Sequence, residues 1–302
     1  MGEGGHSGHR RVVAVTGAST GIGRAVVAYL LERGFTVYAG VRRAEDGDSL
    51  RQETEARFGA SDGLRVLFLD VTDEGQVAAA AERVNAELDG GHFHGLVNNA
   101  GIATAGPMEF LRLDDLRRQL DVNVVGQVAV AQAFLPLVRE RPGRLVFVGS
   151  VSGLVSSRLL GAYAASKFAL EAVADAFRRE LAPHKVKVSV VEPGRIATPI
   201  WEKSLEEGLA RMDEMGPKAR EYYGELVKDL AAGANFAAKH GTRPEAVARA
   251  VYRALSERRM RKRYFGGSGP PIINLPRRVL SDPILQRGVE SGRGTTSRCR
   301  RC

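Results

Sequence analysis

The chain has 302 residues, 44% of them apolar, enough to bury a sizeable core and too many for a disordered polymer. Its formal net charge is +9, but the excess is local. From Ser256 onward there are 12 of the 44 Lys and Arg and only 3 of the 35 Asp and Glu, so the rest of the chain is balanced.

Residues 1–10 are Gly/His-rich and read as a flexible leader. They lack the apolar core of a secretory signal, so a cytoplasmic location is expected. From Arg11 two kinds of segment alternate. Short apolar runs read as buried parallel strands at Val12–Val15, Thr36–Val41, Arg65–Leu69, Leu96–Val97, Arg144–Val148 and Val186–Val191. Longer segments read as helices over about 21–33, 45–59, 73–89, 112–139 and 161–182. This alternation predicts an α/β fold of the Rossmann type: a doubly wound parallel sheet of about seven strands with helices on both faces. The richest apolar run, Val122–Val138, is interrupted by Asn123, Gly126, Gln127 and Gln132, so no transmembrane segment is expected.

After Val191, Pro193-Gly194 breaks the rhythm, and 200–240 reads as a helical insertion over the site. It contains Trp201, Met212, Met215, Tyr222, Tyr223 and Phe236, which either line an apolar pocket or pack the insertion onto the body. A capping-box pattern, Thr242-Arg243-Pro244-Glu245, opens a helix to about Glu257, and Arg263–Phe265 reads as a last strand. The single domain is expected to span 11–268, followed by a basic extension over 269–302 that is disordered from about 288. Cys299 and Cys302 lie in that tail without a second ligand pair, so neither a metal nor a redox motif is read there. No recognition motif accompanies the basic end, and no nucleic-acid partner is expected.

Strand Val12–Val15 runs into Thr16-Gly17-Ala18-Ser19-Thr20-Gly21-Ile22-Gly23. Glycines permit a tight turn and close approach of backbone, and the following helix aims free N–H groups at a pyrophosphate. Gly17, Ser19, Thr20, Gly21, Ile22 and Gly23 are therefore candidate dinucleotide contacts. The next strand ends Val41-Arg42-Arg43, with no acid to bind ribose hydroxyls. Arginine there can pair with a 2′-phosphate, which predicts NADP(H), with Arg42 the favoured contact and Arg43 its neighbour.

Tyr163 and Lys167, four apart on a helix, share one face. A nearby lysine cation favours the phenolate and makes tyrosine a usable acid and base. Ser150, 13 residues before Tyr163, follows a strand end on the edge where such sheets bind ligands. Ser152 is a neighbouring hydroxyl, and the offset favours Ser150. Asn98-Asn99-Ala100-Gly101 follows another strand on that edge.

Together TGASTGIG (16–23), Asp70, NNAG (98–101), Asn123, Ser150, YAASK (163–167) and PGRIAT (193–198) resemble the short-chain dehydrogenase/reductase family over about 11–260. The strand text Thr36–Gly40, ASKFALE and the long segment after Pro193-Gly194 are similar to its steroid and retinol dehydrogenase branch. The resemblance implies that Tyr163 moves a proton to or from the substrate oxygen, that Ser150 hydrogen-bonds that oxygen, and that Lys167 binds the nicotinamide ribose and lowers the Tyr163 pKa. It implies that Asn123 shapes its helix and holds a relay water, and that Asp70, with Val71, meets the adenine. Asn98, Ala100 and Gly101 would border the cofactor, with Pro193, Gly194, Ile196 and Thr198 at its nicotinamide end. Asn123 could instead cap backbone groups, and Asp70 could be a strand-end turn residue.

The expected activity is interconversion of a secondary alcohol and a ketone or aldehyde, on a lipophilic steroid-, retinoid- or polyketide-like substrate, by a homodimer or homotetramer. The alternative is an NADP(H)-binding redox sensor without turnover.

Overall fold

In the computed structural model, residues 11–59, 63–88 and 91–267 are described. The expected leader 1–10 and the extension 269–302, with both cysteines, lie outside them. Along the chain come β1 (Val12–Val15), α1 (Gly21–Leu31), β2 (Thr36–Val41), α2 (Ala44–Phe58), β3 (Leu64–Phe68), α3 (Glu74–Glu87), β4 (Phe93–Asn98), α4 (Leu113–Leu120) and α5 (Gly126–Glu140). Then follow β5 (Arg144–Val148), α6 (Gly161–Glu180), β6 (Lys187–Pro193), α7 (Pro199–Glu214), α8 (Pro217–His240), α9 (Glu245–Ser256) and β7 (Arg263–Gly266).

The described strands form one parallel sheet in the order β3-β2-β1-β4-β5-β6-β7. β1 and β5 are buried at every position because helices cover both faces, so β1 throughout and β5 after Arg144 are continuously apolar rather than alternating. One core layer joins Phe93, Phe134 and Phe147 to α3, α5 and α6; the other joins Val13, Val15, Leu30, Phe35 and Leu255 to α1 and α9. Strand order reverses between β1 and β4, which opens a crevice at their C-terminal ends.

Four expectations are corrected. β4 begins at Phe93 rather than Leu96, because Phe93 and Leu96 both point into the core while Gly95 fits against the Arg144 carbonyl of β5. The helix expected over 112–139 is interrupted by a π-helical turn at Asp121–Val125, closed by the Gly126 N–H bonding the Asp121 carbonyl. The insertion is two helices, since Gly216 takes φ +83° and Pro217 starts α8. The capping box does not form: Pro244 is the N-cap of α9 without a side-chain cap, and Thr242 instead bridges to Ile196 through its backbone.

The run 113–140 is long and apolar enough to cross a membrane, but its Val130, Ala131, Phe134 and Val138 are packed into the core. Arg144 is buried and donates to the carbonyls of Ala254 and Glu257, placing a cation at the negative C-terminal end of α9. Phe134 is fully buried against Phe93, with ring centroids 5.7 Å apart. Phe134→Ala is expected to cost about 3–5 kcal/mol, read as a lower denaturant midpoint at unchanged slope.

Candidate active site

The crevice floor is a lock between the ends of β1 and β4. Thr16 Oγ1 accepts hydrogen bonds from the N–H groups of Asn99 and Ala100, both at 2.9 Å. Asn99 Nδ2 donates to the carbonyls of Thr16 and Gly17, at 2.9 and 3.1 Å. Gly17 has φ +63°, and a Cβ there would lie 2.7 Å from Ala100 Cα. At Gly23 a Cβ would lie 2.1 Å from the Gly17 carbonyl oxygen. Two glycines are thus required for the turn to close, and the turn delivers the chain to the N-terminus of α1.

Among the other loop candidates, Gly21 has φ +55° and faces Thr198, whose Cβ is 3.3 Å from where a Gly21 Cβ would stand. Ser19 and Thr20 lie in the turn, with Thr20 at the N-cap of α1 making no side-chain cap bond, and Ile22 is half-buried behind them. A glycine cradle at a helix N-terminus fits a pyrophosphate.

The two arginines after β2 differ. Arg43 forks onto Asp46, with Nε and Nη2 each 3.0 Å from a carboxylate oxygen. Arg42 is exposed and makes no hydrogen bond or ion pair among the described residues. Asp70 accepts from the N–H and hydroxyl of Thr72, so it is a turn residue and still has an oxygen to offer. Val71 is buried, its carbonyl packed against Gly126.

Asn98 is a buried tie: its Nδ2 donates to the Gln127 carbonyl. Gly101 leaves room for Asn123 Oδ1, which would be 3.2 Å from a Cβ there. Asn123 sits in the π turn and clamps Ile102 from both sides, its Oδ1 accepting from the N–H and its Nδ2 donating to the carbonyl, each at 2.9 Å. The same Nδ2 reaches Ser166 Oγ at 3.0 Å. The backbone-capping role weighed for Asn123 is therefore present.

Tyr163 and Lys167 lie together on α6, both buried, with Lys167 Nζ 5.8 Å from the phenol ring centroid. Of the two hydroxyls, Ser150 is the one that acts on the Tyr163 phenol, while Ser152 donates its N–H to Ser150 Oγ at 3.1 Å. Burial pushes the Tyr163 pKa up to about 12, opposed by Ser150 and reinforced by the charge of Glu192. Burial also pulls the Lys167 pKa down to about 8, and Glu192 opposes that fall. Lys167 Nζ donates to the Val148 carbonyl at 2.8 Å.

Beyond β6, Pro193 ends the strand and the Gly194 N–H bonds the Gly266 carbonyl at 3.0 Å. Ile196 turns its side chain into the core beside Val247 and Val251, so only its backbone can face a ligand. Of the insertion's large residues, Trp201 meets Tyr163 edge to face at 5.7 Å. Met215 and Tyr223 pack with Phe110 and Leu159, Tyr222 and Phe236 are exposed, and the side chain of Met212 is outside those described.

A family model described as short chain dehydrogenase matches residues 11–208. The chain belongs to the short-chain dehydrogenase family. Retinol dehydrogenase 5 of Mus musculus is 38% identical over 220 residues, covering 72% of this chain and 67% of that one. An NADPH-dependent 3-dehydrocapnine reductase of Ornithobacterium rhinotracheale is 33% identical over 282 residues, covering 92% and 95%. A solved short-chain dehydrogenase from Streptomyces avermitilis superposes with TM-score 0.69 at 29% identity, covering 86% and 88%. As a short-chain dehydrogenase of the retinol and steroid dehydrogenase-like branch, the protein is an oxidoreductase that binds a nicotinamide cofactor and interconverts alcohol and carbonyl groups.

Sequence reasoning missed Thr16, Asn99, Gln119, Gln127 and Glu192. Gln119 is fully buried and pairs with the Thr104 N–H and the Ile102 carbonyl, yet in sequence it is one more polar residue on a charged helix. Glu192 did leave a signal, a lone acid closing the apolar run Val188–Val191. Thr16→Val keeps the shape at Thr16 but removes the acceptor of two part-buried N–H groups. It should cost about 1–3 kcal/mol, measured by urea denaturation.

Proposed function

We propose that the protein is an NADP(H)-dependent oxidoreductase that interconverts a lipophilic secondary alcohol and its ketone, or an aldehyde, with Tyr163 as general acid and base. The observation that carries this reading is the buried Tyr163 phenol beside Ser150, with Lys167 one helical turn away.

In the reductive direction the Ser150 hydroxyl donates a hydrogen bond to the substrate oxygen, and Tyr163 gives its proton to that oxygen as negative charge develops there. A phenol with its pKa near 12 keeps that proton through neutral pH and can donate it. In the oxidative direction the phenolate takes the alcohol proton, and the Lys167 cation stabilises the phenolate. That charge is present below about pH 8 and lost as the pH rises through it. The bound cofactor supplies or accepts the hydride, so the protein contributes position and proton handling.

NADP(H) is supported by the exposed, unpaired Arg42, by the absence of an acid at the end of β2, and by the NADPH dependence in the name of the Ornithobacterium relative. Arg43 is the weaker candidate because Asp46 already holds it. A lipophilic substrate is supported by the Trp201 ring beside Tyr163. A homodimer or homotetramer is supported by Leu113 and Val125, large apolar side chains left exposed along α4 and the π turn.

The decisive assay follows NADPH absorbance over carbonyl substrates from apolar ketones to small sugars. Tyr163→Phe should lower turnover by about 10³-fold or more while cofactor binding persists. Undiminished turnover in that variant, or turnover of small sugars alone, overturns the reading. Arg42→Ala should lower the NADP(H)-over-NAD(H) preference by about tenfold or more, through loss of NADP(H) efficiency. A wild-type protein that prefers NAD(H) refutes the cofactor assignment.

A further inference from the structure

Behind the Tyr163–Lys167 couple lies a buried acidic pair that the proposed reaction leaves unused. Along α6 the four-residue spacing that aligns Tyr163 with Lys167 continues to Glu171. Opposite this stripe, Glu192 enters from the end of β6 with no exposed surface. A Cβ at Gly149 would lie 2.8 Å from Glu192 Oε2, and Lys167 Nζ donates to Val148, the residue before it, at 2.8 Å. The Glu192 carboxylate and the Lys167 ammonium therefore stand beside the same stretch of backbone.

The charged and titratable groups that face Glu192 are Lys167 and Glu171 from α6 and Arg263 from β7, with Tyr163 inside its field. Asp175, one turn further along α6, acts on Arg263. Arg263 is bonded through Nε and Nη2 to Glu171 Oε2, and its Nε lies 3.6 Å from Glu192 Oε1. Both Glu192 oxygens and Glu171 Oε1 are buried without a donor. Yet the two carboxyl groups converge on one nitrogen, Arg263 Nε, which bonds Glu171 Oε2 at 2.8 Å and lies 3.6 Å from Glu192 Oε1. Two ionised carboxylates would repel there, each with buried lone pairs unsatisfied. One proton between them removes the repulsion and turns an orphaned acceptor into a donor. Glu171 accepts both Arg263 bonds while Glu192 has no donor, so the proton resides on Glu192, whose pKa burial and Glu171 raise well above the carboxylate range.

We propose that Glu192 and Glu171 form a proton-sharing carboxyl pair that sets the negative charge behind the Tyr163–Lys167 couple, making Glu192 a positioning residue for proton transfer. The proposal rests on the reading of Tyr163 as the proton-transfer residue. With the proton on Glu192, the pair's charge stays at Arg263, away from the phenol. When the proton leaves at alkaline pH, the charge moves next to Lys167 and opposes phenolate formation.

Two measurements on the full chain, neither needing substrate or cofactor, test it. The infrared carbonyl stretch of a protonated carboxyl should be present at neutral pH. It should vanish in Glu192→Gln, which removes the group, and should be lost at a lower pH in Glu171→Gln, which removes the facing charge. Tyrosinate absorbance, with Tyr163→Phe as the blank, should show Tyr163 titrating about 0.5–1 pH unit lower in Glu192→Gln, since no charge forms there to oppose it. A purely structural role would lower the melting temperature and leave that titration in place. Absence of the carboxyl band in the wild type, its loss at an unchanged pH in Glu171→Gln, or an unmoved tyrosinate titration in folded Glu192→Gln each overturns the pair. The Glu171→Gln band decides alone if Glu192→Gln does not fold. A shifted titration in a protein that turns over no carbonyl substrate sinks the reaction reading and leaves the pair standing.

Discussion

An ammonium group taken out of water is the constraint around which this site is built. Lys167 is 5% exposed, and desolvation of its charge is the largest influence on its protonation. Such a group stays cationic near neutrality only if nearby dipoles and anions offset the loss of water. The Val148 carbonyl supplies the dipole and the Glu192–Glu171 pair the negative charge, and Glu192, fully buried, itself needs compensation. Glu171 and Arg263 complete the chain and carry it towards the surface, where the Arg263 side chain is 35% exposed. Each buried charge in this part of the molecule is a consequence of the one before it.

The same logic governs the loops that meet at the crevice. Connections that run beneath a ligand site bury backbone N–H and C=O groups that no strand or helix satisfies. Thr16 and Asn99 satisfy those at the ends of β1 and β4, while Asn123 and Gln119 satisfy those of the loop through Ile102 and Thr104. The π turn gives Asn123 its reach: one extra residue in the helical turn changes the direction of the side chains that follow. The irregular helix and the irregular loop are thus two halves of one set of hydrogen bonds.

Most of the sheet was legible because burial on both faces leaves a strong mark, a short β-branched run bounded by turn residues. The glycine loop was legible because Gly17 and Gly23 serve steric needs that no other residue meets. What was not legible lay in groups whose meaning depends on a distant partner. Gln119 and Gln127 look like ordinary helix surface until the loop carbonyls they bond are in place. The break between α4 and α5 has no Pro or paired glycines to announce it, since the π turn is held by tertiary bonds from Asn123. The Thr242 capping pattern was misleading because its backbone is recruited by Ile196 before the helix begins. Within the insertion, composition could not separate Trp201, which reaches Tyr163, from Tyr223, which bonds Glu109 and packs beside Phe110.

Under the proposed mechanism, desolvation would make proton transfer at Tyr163 asymmetric between the two directions. A phenol buried among apolar groups keeps its proton, which suits it to give that proton to a substrate oxygen gaining negative charge. To act as a base it must first become an anion in the same dry environment. Lys167 can favour that anion by charge, but burial has already weakened the hold of Lys167 on its own proton. The ammonium is lost above about pH 8, before the phenol ionises near 12, so the oxidative direction has to close a gap that the reductive direction does not meet. Whatever moves negative charge towards or away from Lys167 changes that gap. The carboxyl pair at Glu192 and Glu171 is placed to do so.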